Sequence, residues 1–522
     1  VLPNNGDGDF TFNRDSSATR VGSNGLIQTV GFFGSEEVTN GTFDTNSDWS
    51  VGSGWTISGG KANVNSTSLA DMSQDIGSST GKTYKITFEV SNYVSGSVKV
   101  LLGYGSTPVS PALTASANGI YEVEATPNVT NPQRLYISTQ TATSNLSIDN
   151  ISVKEVTGDQ PRLNYDISNG VVQSCPSLLL EPASTNVIPY SEDFSNAAWS
   201  KTNLTVTDNQ TTSPDGSLNA SKLTEDTSTG EHKIFDSLSI TSGVDYTFSV
   251  FVKSNGRNFI RLRLENAGVG SGQINVWFDV LNGTVGTVGA GTAIIENYGN
   301  GWYRCIATGT TSATSYVAQI NLSDADNNVS YTGDGASGIY LFGAMLEELS
   351  YATSYIPTLS GAIQTRAAET CDDAGTVSTF SDSEGVLYAE ISALADDLSN
   401  RAISLSDGSL NNGVQMFYYN VSNRIRFRVY AGGVLQGTIN KSSITITDNH
   451  KIALKWESGF MSVFVDGVIV GTRLAIISTP TGLDRLNFNL GQGSSTFYGN
   501  TKDIRVFNEA LTDAQLQTLT TL

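Results

Sequence analysis

The chain has 522 residues, 38% of them apolar and only 15% charged, with a formal net charge of −21. Charge this far below the roughly 25% of an ordinary soluble protein, made up by Gly, Ser, Thr and Asn, is how turn-rich β proteins are written. The acidic balance argues against nucleic-acid binding, which needs concentrated Lys and Arg, and no stretch reaches the roughly 20 apolar residues that membrane insertion would require.

In chain order, residues 1–34 read as an N-terminal strand and connector segment. A first β-domain spans 35–157, from "VTNGTFDTNSDWS" to "LSIDNISVKEV". Its "KTYKITFEV" sets Tyr84, Ile86, Phe88 and Val90 on one face and Lys85, Thr87 and Glu89 on the other, the period-two pattern of a half-buried strand. Residues 158–186, around "CPSLLLEPASTN", form a connector. A second β-domain spans 187–358, where "FIRLRLEN" alternates Ile260, Leu262 and Leu264 with Arg261, Arg263 and Glu265. A third fills 359–522, and "NRIRFRVY" repeats the scheme with Ile425, Phe427 and Val429. In "FMSVFVDGVIVG", Asp466-Gly467 suits a two-residue hairpin turn with positive φ. "LTDAQLQTL" predicts the one helix, with Thr512 as N-cap and Gln515 at capping-box spacing.

The fold class expected is therefore all-β: tandem antiparallel β-sandwich (jelly-roll) domains with very little helix. The first two domains share an acidic-aromatic opening, a Trp and a closing strand, and read as distant copies of one sandwich. Cys175, Cys305 and Cys371 have neither metal spacing nor a disulfide framework and are expected to be buried free thiols.

Three strings, "NGDGDFTFNRDSSATRVGSNGLIQTV" (5–30), "QPRLNYDISNGVVQSCPSLLLEPASTNVIPYSEDFSNAAWSK" (160–201) and "GAMLEELSYATSYIPTLSGAIQTRAAE" (343–369), resemble segments of phage tail-fibre and other virion structural proteins. In such relatives the first string runs almost directly into the second, so the resemblance implies that 35–157 is inserted. It also implies further sequence upstream of Val1. Through "NGTFDTNSDW" and "IDNISVKEV" the first domain resembles carbohydrate-binding-module jelly rolls. Through "HKIALKWESGFMSVFVDGVIVG" and "KDIRVFNEALTDAQL" the third resembles laminin-G/concanavalin-like sandwiches. The connector then docks its leucines between domains.

Two histidines, His232 and His450, cannot build a histidine metal cluster, and no GxSxG, HExxH or P-loop string occurs. The E-x-D-x-x-E string of laminarinase-like relatives is also absent, so no enzymatic activity and no catalytic residue is expected. Resemblance to carbohydrate-binding jelly rolls implies a structural calcium near the opening and closing strands, and the matching positions are Asn40, Asp44 and Asp149. Around Asp149 the alternation slips, since Leu146 and Ile148 share one phase and Ile151 and Val153 the other, which predicts a bulge. Sugars stack on aromatic faces, so Trp49, Trp55, Tyr93 and Tyr104 are the candidate platform residues. Trp277, Trp302 and Trp456 sit inside strand patterns and read as core.

Together these readings point to a non-enzymatic virion surface protein, a tail fibre, head fibre or capsid decoration. Its expected partners are other virion proteins and host-surface or environmental glycans. It is expected to be a homo-oligomer, a trimer favoured, with Leu179 of the connector buried. A secreted bacterial carbohydrate-binding adhesin and a polysaccharide depolymerase are the alternatives.

Overall fold

Strands that alternate buried and outward side chains can only pair into sheets stacked on their apolar faces, and three such stacks account for the chain. The computed structural model describes residues 9–31, 33–77, 82, 84–104, 107, 108, 113–125, 134–156, 160–268, 270, 272–359 and 362–522. Residues 1–8 of the N-terminal segment therefore lie outside the described residues. The sheets are antiparallel and the protein is almost entirely β.

In the first sandwich two sheets, each six-stranded among the described residues, enclose a core drawn from residues 38–153, with Tyr84, Ile86, Phe88 and Val90 all buried in it. Its entry strand Phe33–Glu36 and exit strand Ser144–Val156 lie side by side, Glu36 opposite Lys154 and Phe33 opposite Val156. The second sandwich also stacks two six-stranded sheets, around a core drawn from residues 188–346 that includes Ile260, Leu262 and Leu264. A separate apolar layer, Ile27, Phe251, Trp302, Phe342, Tyr355 and Ile356 among it, covers the back of one of these sheets.

The third sandwich pairs an eight-stranded with a five-stranded sheet. Asp466 (φ 50°) and Gly467 (φ 77°) form the hairpin turn between Phe460–Val465 and Val468–Ile469. The helix Asp513–Thr520, the only one among the described residues, carries the capping box of Thr512 and Gln515. Its Leu516 packs on the outer face of the eight-stranded sheet beside Tyr388 and Phe464.

The connector is part of this third sandwich. Strand Ser177–Leu180 pairs with Gly499–Phe507, Leu178 opposite Thr501, and Arg162–Asn164 pairs on its other edge. Leu180 enters the third core together with Phe10 and Phe12 of the N-terminal segment. Leu179 is 5% exposed within one chain, so its burial needs no second copy. The expectation of three buried thiols fails at Cys175, which is exposed, whereas Cys305 and Cys371 are buried. Cys175 precedes the point at which its segment enters the sheet.

A buried ion network joins these segments. Glu369 Oε1 accepts from Arg14 Nη1 (2.7 Å) and Arg162 Nε (2.8 Å), and its Oε2 pairs with Arg162 Nη2. Glu181 Oε2 lies 2.8 Å from Arg162 Nη2 and 2.9 Å from Arg366 Nη1. All five side chains are at most 3% exposed. Burial works to raise the Glu181 carboxyl, but Arg366 and Arg162, with hydrogen bonds from Ser354, outweigh it and hold the group at about 2.

Candidate functional site

The sequence-predicted sugar platform is not assembled. Trp49 is 9% and Trp55 4% exposed, both within the first core, so neither offers a ring face to a ligand. Trp49 instead latches the domain's opening loop: its Nε1–H donates to the Asn40 carbonyl at 3.1 Å and its ring lies against Phe43, centroids 5.2 Å apart. The second sandwich repeats the device. Trp199 Nε1 donates to the Tyr190 carbonyl at 3.1 Å and meets Phe194 at 5.4 Å. Both loops then tie to the closing strand through backbone, Ile151 N–H to Gly41 O (3.0 Å) and Ala344 N–H to Ser191 O (2.9 Å). In each case the donor follows a positive-φ bulge residue, Asn150 (φ 51°) or Gly343 (φ 62°). These tryptophans hold a loop to a strand. Tyr93 is half-buried, packs on the same core and donates its hydroxyl to Gly96 O at 3.0 Å. Tyr104 ends the strand Val98–Tyr104, but its side chain lies outside the described residues.

The bulge foreseen at Asp149 is present, with the register shifting between Asp149 and Ser152. The candidate calcium ligands around it have other partners. Asp149 Oδ2 faces Lys61 Nζ at 3.3 Å, and its Oδ1 accepts the Asn150 N–H. Asn40 spends both ends of its amide on its own loop, donating to Thr45 O and Ser47 O and accepting from Thr45 N–H. Asp44 accepts from the Thr42 hydroxyl. Asp149 and Asn40 are thus engaged with a lysine and with loop backbone, and no group of three or more His, Cys, Asp or Glu suited to a metal ion occurs among the described residues.

A different surface stands out in the third sandwich. Strand Arg424–Ala431 buries Ile425, Phe427 and Val429, which turns Arg424, Arg426 and Arg428 to the outer face of the five-stranded sheet. Alternate residues of a strand stand roughly 7 Å apart, so the three form a ladder. Cross-strand neighbours share a face: Ser442 beside Arg424, Phe417 and Asn440 beside Arg426, Gln415 and Thr438 beside Arg428. The Arg426 guanidinium lies 3.3 Å from the Tyr419 ring centroid, and that of Arg428 5.2 Å from the Phe417 ring. Nε of Arg424 donates to Ser442 Oγ (3.1 Å) and Nε of Arg426 to Asn440 Oδ1 (2.9 Å).

Their terminal Nη groups have no protein acceptor, and no carboxylate comes within ion-pair distance of any of the three among the described residues. On the far flank, segment 489–498 covers the sheet, with Ala402 N–H to Ser495 O at 2.8 Å and Ser404 Oγ to Asn489 O at 2.6 Å. What remains open is a patch of three cationic forks, those of Arg426 and Arg428 over aromatic rings, edged by neutral hydroxyls and amides. The strand pattern of "NRIRFRVY" placed these arginines outward, yet the sequence reading passed over them. The signal was there: residues 408–447 contain no Asp or Glu, in a chain that has 50.

Residues 372–517 match the family model described as the concanavalin A-like lectin/glucanases superfamily. No curated protein matches. Among solved structures, a leech intramolecular trans-sialidase is 18% identical over 27% of this chain and 24% of its own length, at a TM-score of 0.23. The tandem CBM22-1–CBM22-2 domain of Paenibacillus barcinonensis Xyn10C is 12% identical, covering 61% of this chain and 98% of that one at a TM-score of 0.24. Domains LG4-5 of the mouse laminin α1 chain are 9% identical, covering 68% and 96% at a TM-score of 0.21. At such TM-scores these likenesses carry no argument. The arginine ladder lies on the part of the chain that matches the concanavalin A-like superfamily.

Proposed function

We propose that this protein is a non-enzymatic structural component of a phage virion, a fibre or capsid decoration, that adheres to glycans through the outer face of its third sandwich. The observation that carries the adhesive reading is the open patch of Arg424, Arg426 and Arg428, with Arg426 stacked on Tyr419. Guanidinium planes, the half-buried Tyr419 ring and flanking Asn, Thr and Ser side chains are the groups that hold a hydroxylated chain against a sheet. The superfamily match over 372–517 supports the same domain as the binding unit.

The virion reading rests on the three resembling strings. They contribute Arg14, Arg162 with Glu181, and Arg366 with Glu369 to one buried network, which makes them the parts of such a scaffold least free to vary. Copies assembled as a homotrimer would multiply a weak site by avidity. Binding of the full chain to an array of microbial polysaccharides tests the adhesive function, and light scattering tests the trimer. Detection of the protein in purified particles by mass spectrometry tests its place. Absence from particles with glycan binding intact would favour the secreted adhesin instead.

A further inference from the structure

We infer that the ligand of the arginine ladder is an acidic polysaccharide that presents uronate carboxylates, an inference that rests on the glycan-binding reading above. In a chain of net charge −21, outward arginines ordinarily find carboxylates. Arg473 and Arg505 do so on this same sandwich, with Asp513 at 2.8 Å and Asp503 at 2.5 Å. Arg424, Arg426 and Arg428 do not, because the sequence around them has been cleared of acid from 408 to 447. Three unpaired guanidiniums side by side repel one another, and a ligand with regularly spaced negative charge relieves that cost.

The form of the groups narrows the ligand. Stacking on Tyr419 and contact with Phe417 fix the guanidinium planes of Arg426 and Arg428, and Nε of Arg424 and of Arg426 is held by a neighbour, so the Nη edges stay available. A planar fork of this kind matches a planar carboxylate by paired N–H···O bonds. Beside the arginines stand Thr438, Asn440 and Ser442, neutral partners for sugar hydroxyls. Nucleic acid is the poorer fit, since its affinity grows with the number of phosphates neutralised and three arginines are few against the field of the whole molecule.

The test is titration of the full chain with alginate as the polyuronate probe, alongside alginate with its carboxyls esterified, neutral laminarin, a sulfated carrageenan and poly-dT. Alginate should bind, its ester should not, and affinity should fall roughly tenfold when salt is raised fourfold. The triple substitution Arg424→Gln, Arg426→Gln, Arg428→Gln lies on the outer face of the sheet and should leave the chain folded, with unchanged β circular dichroism, while losing alginate binding. Arg426→Lys keeps the charge but not the fork and should weaken binding severalfold. Equal binding of laminarin or the ester would overturn the uronate assignment and leave glycan adhesion standing. Tighter binding of carrageenan or poly-dT overturns it as well. Binding of no polysaccharide by a folded chain overturns both readings, and self-association of the wild type that the triple substitution abolishes would give the patch to a second copy of the chain.

Discussion

Tyr355 donates its hydroxyl to Glu192 Oε1 at 3.0 Å, and Asn219 Nδ2 reaches both Glu192 Oε2 and Asp215 Oδ2. Desolvation raises the Glu192 carboxyl, and the charges of Asp215 and Glu122 raise it further, from an ordinary 4.5 to about 8, against the lowering effect of the Tyr355 hydrogen bond. A carboxyl whose folded pKa lies above its unfolded value contributes stability that is complete below pH 4.5 and is lost as pH rises through about 8. The wild type should therefore lose thermal stability between about pH 5 and about pH 9 relative to Glu192→Gln, which cannot ionise. Parallel melting-temperature curves for the two proteins would refute this. Nothing in "YSEDFSN" distinguishes Glu192 from its acidic neighbour Asp193. Its environment is made by Tyr355, 163 residues away, and by Glu122 of another sandwich. The failed sugar platform has the same origin, because a tryptophan among polar residues reads equally as a ligand face or as a latch, and only the hydrogen bond from Trp49 to Asn40 decides.

At the scale of elements, each of the first two sandwiches closes with a bulge beneath its opening loop. In the first, Asn150 adopts φ 51° and donates through Nδ2 to Glu89 at 3.0 Å. In the second, Gly343 adopts φ 62°, and a Cβ there would lie 3.1 Å from Phe251 and 3.2 Å from Tyr355. Gly343→Ala should accordingly cost about 1–3 kcal/mol, seen as a lower melting temperature, while Asn150→Gly should change stability by less than about 1 kcal/mol. Equal effects would show that neither the positive φ nor the close approach at Gly343 is what the alanine strains. The first bulge was legible because its strand is amphipathic, so the slip between Ile148 and Ile151 shows as a change of phase. The second was hidden because Gly338–Glu347 is covered on both faces, by the core on one and by Tyr355 and Ile356 on the other, and an unbroken apolar run has no phase to slip. The capping box and the Asp466-Gly467 turn were legible for the opposite reason, since both are complete within a few residues.

Across the whole molecule, the first sandwich has a core of its own and neighbouring entry and exit strands. Removal of 35–157 should leave a folded remainder with unchanged β circular dichroism, and aggregation of that remainder would show shared core. The rest of the chain cannot be divided in this way, because the ion network ties the N-terminal segment, the connector, the end of the second sandwich and the start of the third together. Its partners stand up to 355 residues apart, which is why no local pattern exposed it, although the three strings that carry it were conspicuous in sequence. Glu369 serves both Arg14 and Arg162. Glu369→Gln removes the charge while nearly keeping the shape, so Arg14 loses its pair with Glu369 and Arg162 keeps only its pair with Glu181, both without access to water. Breaking a buried pair in this way typically costs about 3–5 kcal/mol. The loss should appear as faster amide hydrogen exchange in 160–186 and in the strand Gly499–Phe507, with the first sandwich unaffected. The same network sets an acid limit. Glu181 is depressed from 4.5 to about 2, so its contribution is complete above pH 4.5 and drains away as pH falls toward 2. Exchange in the connector should therefore accelerate over that window before the first sandwich unfolds. Uniform acceleration across all three sandwiches would mean that the network is not what holds them in register.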